Sequence, residues 1–325
     1  MKKEGRIRVS KVETVEIDGK MNNTKVNKIE KIDKRDDSYK CDECVEKCKN
    51  VESDENKEYN VSNESEENEE CDVSNNSIKK RIKLIISYDG TNYCGWQIQI
   101  NGITVEEVIN RELSRLLGEE IAVIGASRTD SGVHALGNVA VFDTFSRIPP
   151  EKMCFALNQR LPEDIRIEDS CEVPLDFHPR FCNSTKTYEY KILNRRFDVP
   201  TLRLYTHFVY MPLDVEKMRK AARYIVGEHD FKSFCSARTQ VTTTVRTVYS
   251  LIVDKTDDII RIRISGNGFL YNMVRIIVGT LIKVGLSVYP PEHVKEIIAA
   301  CDRNAAGPKA PAKGLTLVGI KYEEN

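Results

Sequence analysis

Between Ile82 and Tyr88 the chain alternates: Ile82, Leu84, Ile86 and Tyr88 fall on one side, Lys83 and Ser87 on the other. A period of two marks a strand with one buried face. Asp89-Gly90 then supplies a turn. Thr104 is followed three residues later by Glu107, the spacing of a capping box. Val105, Val108, Ile109, Leu113, Leu116 and Leu117 recur at helical spacing until Gly118 ends the helix. Apolar runs at 121–124 and 139–142 predict two short buried strands. A helix is expected over 151–160, stopped by Leu161-Pro162. Further strands are expected at 165–168, 185–193, 246–254, 259–265 and 315–320, with helices at 215–226, 269–284 and 291–300. Long strands mixed with amphipathic helices, without strict βαβ alternation, predict an α+β fold with a largely antiparallel or mixed sheet.

Upstream of Ile78 the pattern fades to some β-like alternation between Ile7 and Ile17, enough for a transient strand. Asn, Glu, Lys and Ser dominate residues 1–77, and the run from Asn63 to Glu70 has nothing to bury, so a disordered extension is expected there. Charge divides at the same place. The 325-residue chain has a net charge of −1, but residues 1–77 hold 15 Lys+Arg against 21 Asp+Glu, net −6, and residues 78–325 hold 34 against 29, net +5. The domain reading is therefore an acidic extension, 1–77, before a mildly basic body, 78–325. That body suits a polyanionic partner. Residues 1–30 carry charges throughout, and the longest apolar stretch, 269–286, is interrupted by Arg275 and Lys283. Neither a secretory leader nor a membrane span is expected. Ten cysteines in such a chain point to reduced thiols in the cytoplasm. Cys41, Cys44, Cys48 and the more distant Cys71 could ligate zinc, or be free thiols in a flexible segment.

Between the strands expected at 121–124 and 139–142 lies Ser127-Arg128-Thr129-Asp130-Ser131-Gly132-Val133-His134-Ala135. It sets a carboxylate, a guanidinium and an imidazole around a glycine. Strands hold such a loop rigid while leaving it reachable, which suits catalysis. Its bland alternative is an Asx-type turn with Gly132 at positive φ. Arg275 lies in a stretch that is apolar almost all round, and a buried guanidinium needs a carboxylate; Asp130 is a candidate, and snorkelling at the helix edge is the alternative. Tyr188 and Tyr190 share one face of a strand, either to stack on a nucleobase or to fill the core. No GxGxxG, P-loop, HExxH or Gly-x-Ser-x-Gly is present, so an enzyme built from this chain is expected to use no cofactor and no metal.

Five ordered segments together resemble the TruA family of tRNA pseudouridine synthases: 88–97, YDGTNYCGWQ; 128–135, RTDSGVHA; 176–181, DFHPRF; 186–190, KTYEY; and 268–275, GFLYNMVR. The likeness spans about 82–322. It implies a pseudouridine synthase fold with a central antiparallel sheet flanked by helices, acting on tRNA in the anticodon stem-loop at positions 38 to 40, as a cytoplasmic homodimer. It implies that Asp130 attacks the target uridine, that Tyr188 stacks on the base and helps move a proton, and that Arg275 pairs with Asp130. Arg128 would help flip the target nucleotide, and Leu270 and His134 would join Arg128 and Tyr188 in binding it. Ser127 and Ser131 stand where many members have Gly and Ala. The reaction is an isomerisation without redox change, consistent with the missing cofactor motifs. A catalytically inactive RNA-binding protein of the same fold is the alternative, and the presence of Asp130, Tyr188 and Arg275 weighs against it.

Overall fold

A computed structural model describes residues 78–236 and 242–323. The extension expected at 1–77, with its Cys41, Cys44, Cys48 and Cys71, lies outside the described residues.

The strand read from alternation is β1 (Lys80–Tyr88), with Ile82, Leu84, Ile86 and Tyr88 buried. Helix α1 (Val105–Leu117) starts where Thr104 Oγ1 accepts the Glu107 N–H and stops at left-handed Gly118. The run at 121–124 departs from expectation. Only Ile124–Gly125 forms strand, β2. Upstream of it, α1 side chains take the backbone donors: Ile121 N–H donates to Ser114 Oγ and Val123 N–H to Asn110 Oδ1. A segment whose donors are met by side chains needs no ladder.

The chain continues through β3 (His134–Thr144), α2 (Met153–Asn158), β4 (Ile165–Val173) and β5 (Ser184–Asn194). The expected helix at 151–160 is shorter because a 3₁₀ turn, Pro150–Lys152, precedes it. Then come β6 (His207–Val209), α3 (Val215–Arg223), β7 (Gly227–Asp230), β8 (Val245–Thr256) and β9 (Ile259–Gly266). The chain closes with α4 (Met273–Gly285), α5 (His293–Ala300) and β10 (Leu315–Tyr322). Helix α4 begins four residues later than the apolar run suggests, because Asn272 is left-handed at φ 61° and breaks the helical path. Strands β6 and β7 were not anticipated; at three and four residues they are too short to show a period.

All ten strands form one sheet, ordered β4-β1-β3-β10-β5-β9-β8-β7, with β2 on β3 and β6 on β5. Every pairing is antiparallel except β3–β10 and β5–β6. The α+β expectation therefore holds. One apolar core joins the strands to Val108, Ile109 and Leu113 of α1 and to Ile276, Ile277 and Leu281 of α4. At the sheet centre Leu317 of β10 pairs with Ala135 on one side and Tyr188 on the other. The loop entering β3 is thereby set beside the middle of β5. Among the described residues no helix is long and apolar enough to cross a membrane.

Candidate active site

The loop between β2 and β3 is fixed along its length. Tyr88 OH and Thr129 Oγ1 lie 2.7 Å apart, Trp96 N–H donates to Thr129 O, and Val133 N–H closes a turn onto Asp130 O. Two glycines let the neighbouring segment approach. A Cβ on Gly95, at φ 89°, would lie 2.5 Å from Thr129 O, and one on Gly90 would lie 2.0 Å from Val133 O. No side chain fits at either contact, which accounts for the glycines of the 88–97 segment. The Asx-turn alternative for Asp130 does not describe its side chain, which points at another part of the chain.

That partner is Arg275. Its Nη1 donates to Asp130 Oδ2 at 2.9 Å, so of the two readings of this arginine the ion pair holds. The guanidinium is anchored twice more, by Nε to Ala310 O at 2.8 Å and by Nη1 to Asn272 Oδ1 at 3.1 Å. Arg275 side chain is 10% exposed and Asp130 is 20% exposed. The pair is dry enough to be held, yet the carboxylate can still be reached.

Tyr188 is buried, its hydroxyl 2.8 Å from Ser127 Oγ and its ring edge-on to Phe269. Burial pushes the phenol up to about 12, against the Ser127 hydrogen bond, and the Asp130 charge adds to the rise. At neutral pH it keeps its proton. Tyr190, on the same face, is a core residue whose hydroxyl donates to Pro311 O. Leu270 is buried just before α4, between Phe269 and Asn272.

His134 opens β3. It is buried, Gly90 N–H donates to its Nδ1, and its Nε2 lies 3.1 Å from Leu204 O. Asp89 Oδ1 also sits 3.0 Å from Nδ1, a contact that becomes an ion pair only on protonation. With both ring nitrogens engaged, this histidine braces the start of β3.

Three cations that sequence reasoning did not single out join exposed Arg128 beside the loop. Arg180 Nε donates to Gly125 O at 2.7 Å and Lys186 Nζ to Ala126 O at 2.8 Å, consecutive carbonyls leading into Ser127. Burial lowers Arg180, with Arg128 adding to it and Glu106 opposing. Burial also brings Lys186 down to about 8, helped by Arg180 and by Arg246. Among the described residues no carboxylate forms an ion pair with any of the four. Arg180 and Lys186 stood within quoted segments, but their convergence with Arg246 depends on strand pairing that no local pattern encodes. At the opposite end of β3, by contrast, Arg81 is bidentate to Asp143, a closed structural pair.

Comparison with known proteins places this arrangement. The family model for tRNA pseudouridine synthase matches residues 84–182 and 221–323. The chain belongs to the tRNA pseudouridine synthase family. Asp130 falls in the first matched segment and Arg275 in the second, while Tyr188 lies between them. Proteins named tRNA pseudouridine synthase A are similar over nearly the whole described region. That of Thermoanaerobacter sp. (strain X514) is 48% identical over 243 residues, 75% of this chain and 100% of the relative. Those of Brevibacillus brevis and Ruminiclostridium cellulolyticum are 50% and 51% identical, with the same coverage. Pseudouridine synthases are isomerases, and this family member is one. Among solved structures, a Cbf5-Nop10-Gar1 complex gives a TM-score of 0.24 at 13% identity, covering 72% of this chain and 56% of that one, too slight to carry an argument.

Proposed function

We propose that the enzyme isomerises uridine to pseudouridine in the tRNA anticodon stem-loop, at positions 38 to 40, as a cytoplasmic homodimer. We assign its catalytic residues as Asp130, Tyr188 and Arg275, with Arg128, Tyr188, Leu270 and His134 forming the surroundings of the target nucleotide. The observation that carries this reading is the 2.9 Å Asp130–Arg275 pair, reachable from solvent and close to Tyr188, with four cations around its loop that form no ion pair with a carboxylate among the described residues.

The reaction breaks the N1–C1′ bond, turns the base, and joins C5 to C1′. The C5 proton leaves and N1 takes one up, so no atom is lost on balance. A single carboxylate suffices as nucleophile, toward either C6 of the base or C1′ of the ribose. Arg275 holds the Asp130 carboxylate in place through a charge-assisted hydrogen bond. Tyr188, protonated at neutral pH, can offer a ring to the base and a proton to the reaction. The target base must leave its stack first, so the backbone on either side has to be held. Arg128, Arg180, Lys186 and Arg246 supply that grip, since unpaired cations are what a phosphate chain neutralises.

The position within tRNA rests on the family resemblance, and the basic balance of 78–325 supports polyanion binding there. Mapping pseudouridine in tRNA from cells lacking this protein tests it. The modification is expected to vanish at 38 to 40; persistence there with loss elsewhere would refute the position while leaving the isomerase assignment intact.

A further inference from the structure

Asn272 is the residue whose presence the fold does not explain on backbone grounds alone. It occupies the N-cap of α4 at φ 61° and ψ 7°, a left-handed conformation that glycine adopts most easily and asparagine tolerates. An asparagine at a helix start ordinarily caps the first turn through its side chain. Here the side chain makes no capping hydrogen bond. Its amide is 6% exposed at the residue level and turned instead toward Arg275.

The orientation of that amide follows from its partners. Arg275 Nη1 carries only donors, so the atom 3.1 Å from it must be the carbonyl Oδ1. Nδ2 therefore faces Ser236 Oγ, to which it donates at 2.9 Å. Ser236 is itself pinned, because its N–H donates to Tyr271 O at 3.2 Å. The chain Tyr271–Ser236–Asn272–Arg275 thus ends on the nitrogen that also donates to Asp130 Oδ2. Nη1 has two hydrogens, one for Asn272 and one for Asp130. With Nε held by Ala310 O, the guanidinium is fixed at two points other than the carboxylate it serves. Removing the Asn272 carbonyl leaves Nη1 with Asp130 as its one side-chain partner, so that the guanidinium keeps only the Ala310 anchor besides the carboxylate it serves.

We propose that Asn272 is a positioning residue for the isomerisation: its amide aims Arg275 at Asp130. This rests on the assignment of Asp130 and Arg275 as the catalytic pair. Asn272 stands three residues before Arg275, and its left-handed backbone brings the two side chains into contact across the helix start. The left-handed backbone is what turns the amide toward Nη1 rather than toward the helix's own N–H groups.

Asn272→Gly separates this role from a backbone role. Glycine keeps the left-handed conformation at no steric cost and deletes only the amide. The single-turnover rate on tRNA is expected to fall about tenfold or more, the worth of a hydrogen bond to a charged group, with RNA affinity little changed; the melting temperature should drop by a few degrees, because Ser236 and Arg275 each lose a buried partner. Asn272→Asp keeps the acceptor and the backbone but brings a second carboxylate to the same guanidinium. Its rate is expected to fall at low pH first, the acidic limb of the profile moving toward neutrality, because two carboxylates compete for one cation. A wild-type rate and pH profile in both variants would overturn the proposal. Asp130→Asn serves as the parallel control. If it keeps turnover, the catalytic pair itself is misassigned; if it is dead while Asn272→Gly is normal, only the positioning role fails.

Discussion

Asp130 and Arg275 stand 145 residues apart in sequence and 2.9 Å apart in the fold. Arg275→Leu is expected to cut the rate by about a hundredfold or more, as loss of one preorganised donor does. Its effect on stability should be smaller. Leucine suits the apolar face of α4, and Asp130, with a side chain 20% exposed, can be hydrated once it loses its partner. Kinetics beside thermal melting checks this, and a normal rate at neutral pH would mean that the pair is not catalytic. Lys186 offers a pH test. Its folded value of about 8 lies below that of a free lysine, so it is charged at pH 7 and largely neutral at pH 9. Phosphate binds the charged form more tightly, so RNA affinity is expected to fall as pH rises through 8. Lys186→Arg should flatten that fall, as measured by RNA titration at pH 7 and pH 9. The Asp130–Arg275 ion pair could be suspected from one apolar helix that contained an arginine. The hydrogen bonds that hold it could not, because Ser236, Asn272 and Ala310 are ordinary residues until the chain folds.

At the scale of elements, strongly periodic segments were legible. β1 and α1 follow from alternation, a cap and a terminal glycine. The misreadings share a cause: side chains or single residues override the local pattern. The 121–124 run reads as strand, yet Ser114 and Asn110 of α1 accept its backbone N–H groups and only β2 remains. Asn110→Ala should accordingly cost about 1–3 kcal/mol, the penalty for orphaning a buried N–H, because Val123 N–H loses its acceptor. Chemical denaturation of the variant checks the value; no change would show that the loop finds another acceptor. The same segment leads into the loop that carries Asp130, so some loss of rate should accompany the loss of stability. The start of α4 was misplaced for a different reason. Its hydrophobicity runs on from Phe269, and only the left-handed Asn272 delays the helix.

For the whole molecule, the basic charge of 78–325 and the cations around the loop, which form no ion pair with a carboxylate among the described residues, make phosphate binding the expected source of affinity. Affinity should fall steeply with salt, and Lys186→Ala should lower the slope of log K against log salt by about one. We propose that 78–325 is the catalytic body and that 1–77 is dispensable. Deletion of 1–77 should leave a soluble protein with undiminished turnover, and loss of activity on truncation would contradict that division. A dimer would offer each site a second basic surface for the tRNA, and light scattering on the active protein tests it: a fully active monomer would exclude the shared grip. The central claim is that Asp130, held by Arg275, isomerises uridine. Release of tritium from tRNA labelled at C5 of uridine reads that chemistry directly. The wild-type protein should release tritium, and Asp130→Asn should release none while binding the same tRNA within a few-fold of wild type; release by the variant near the wild-type rate would contradict the account.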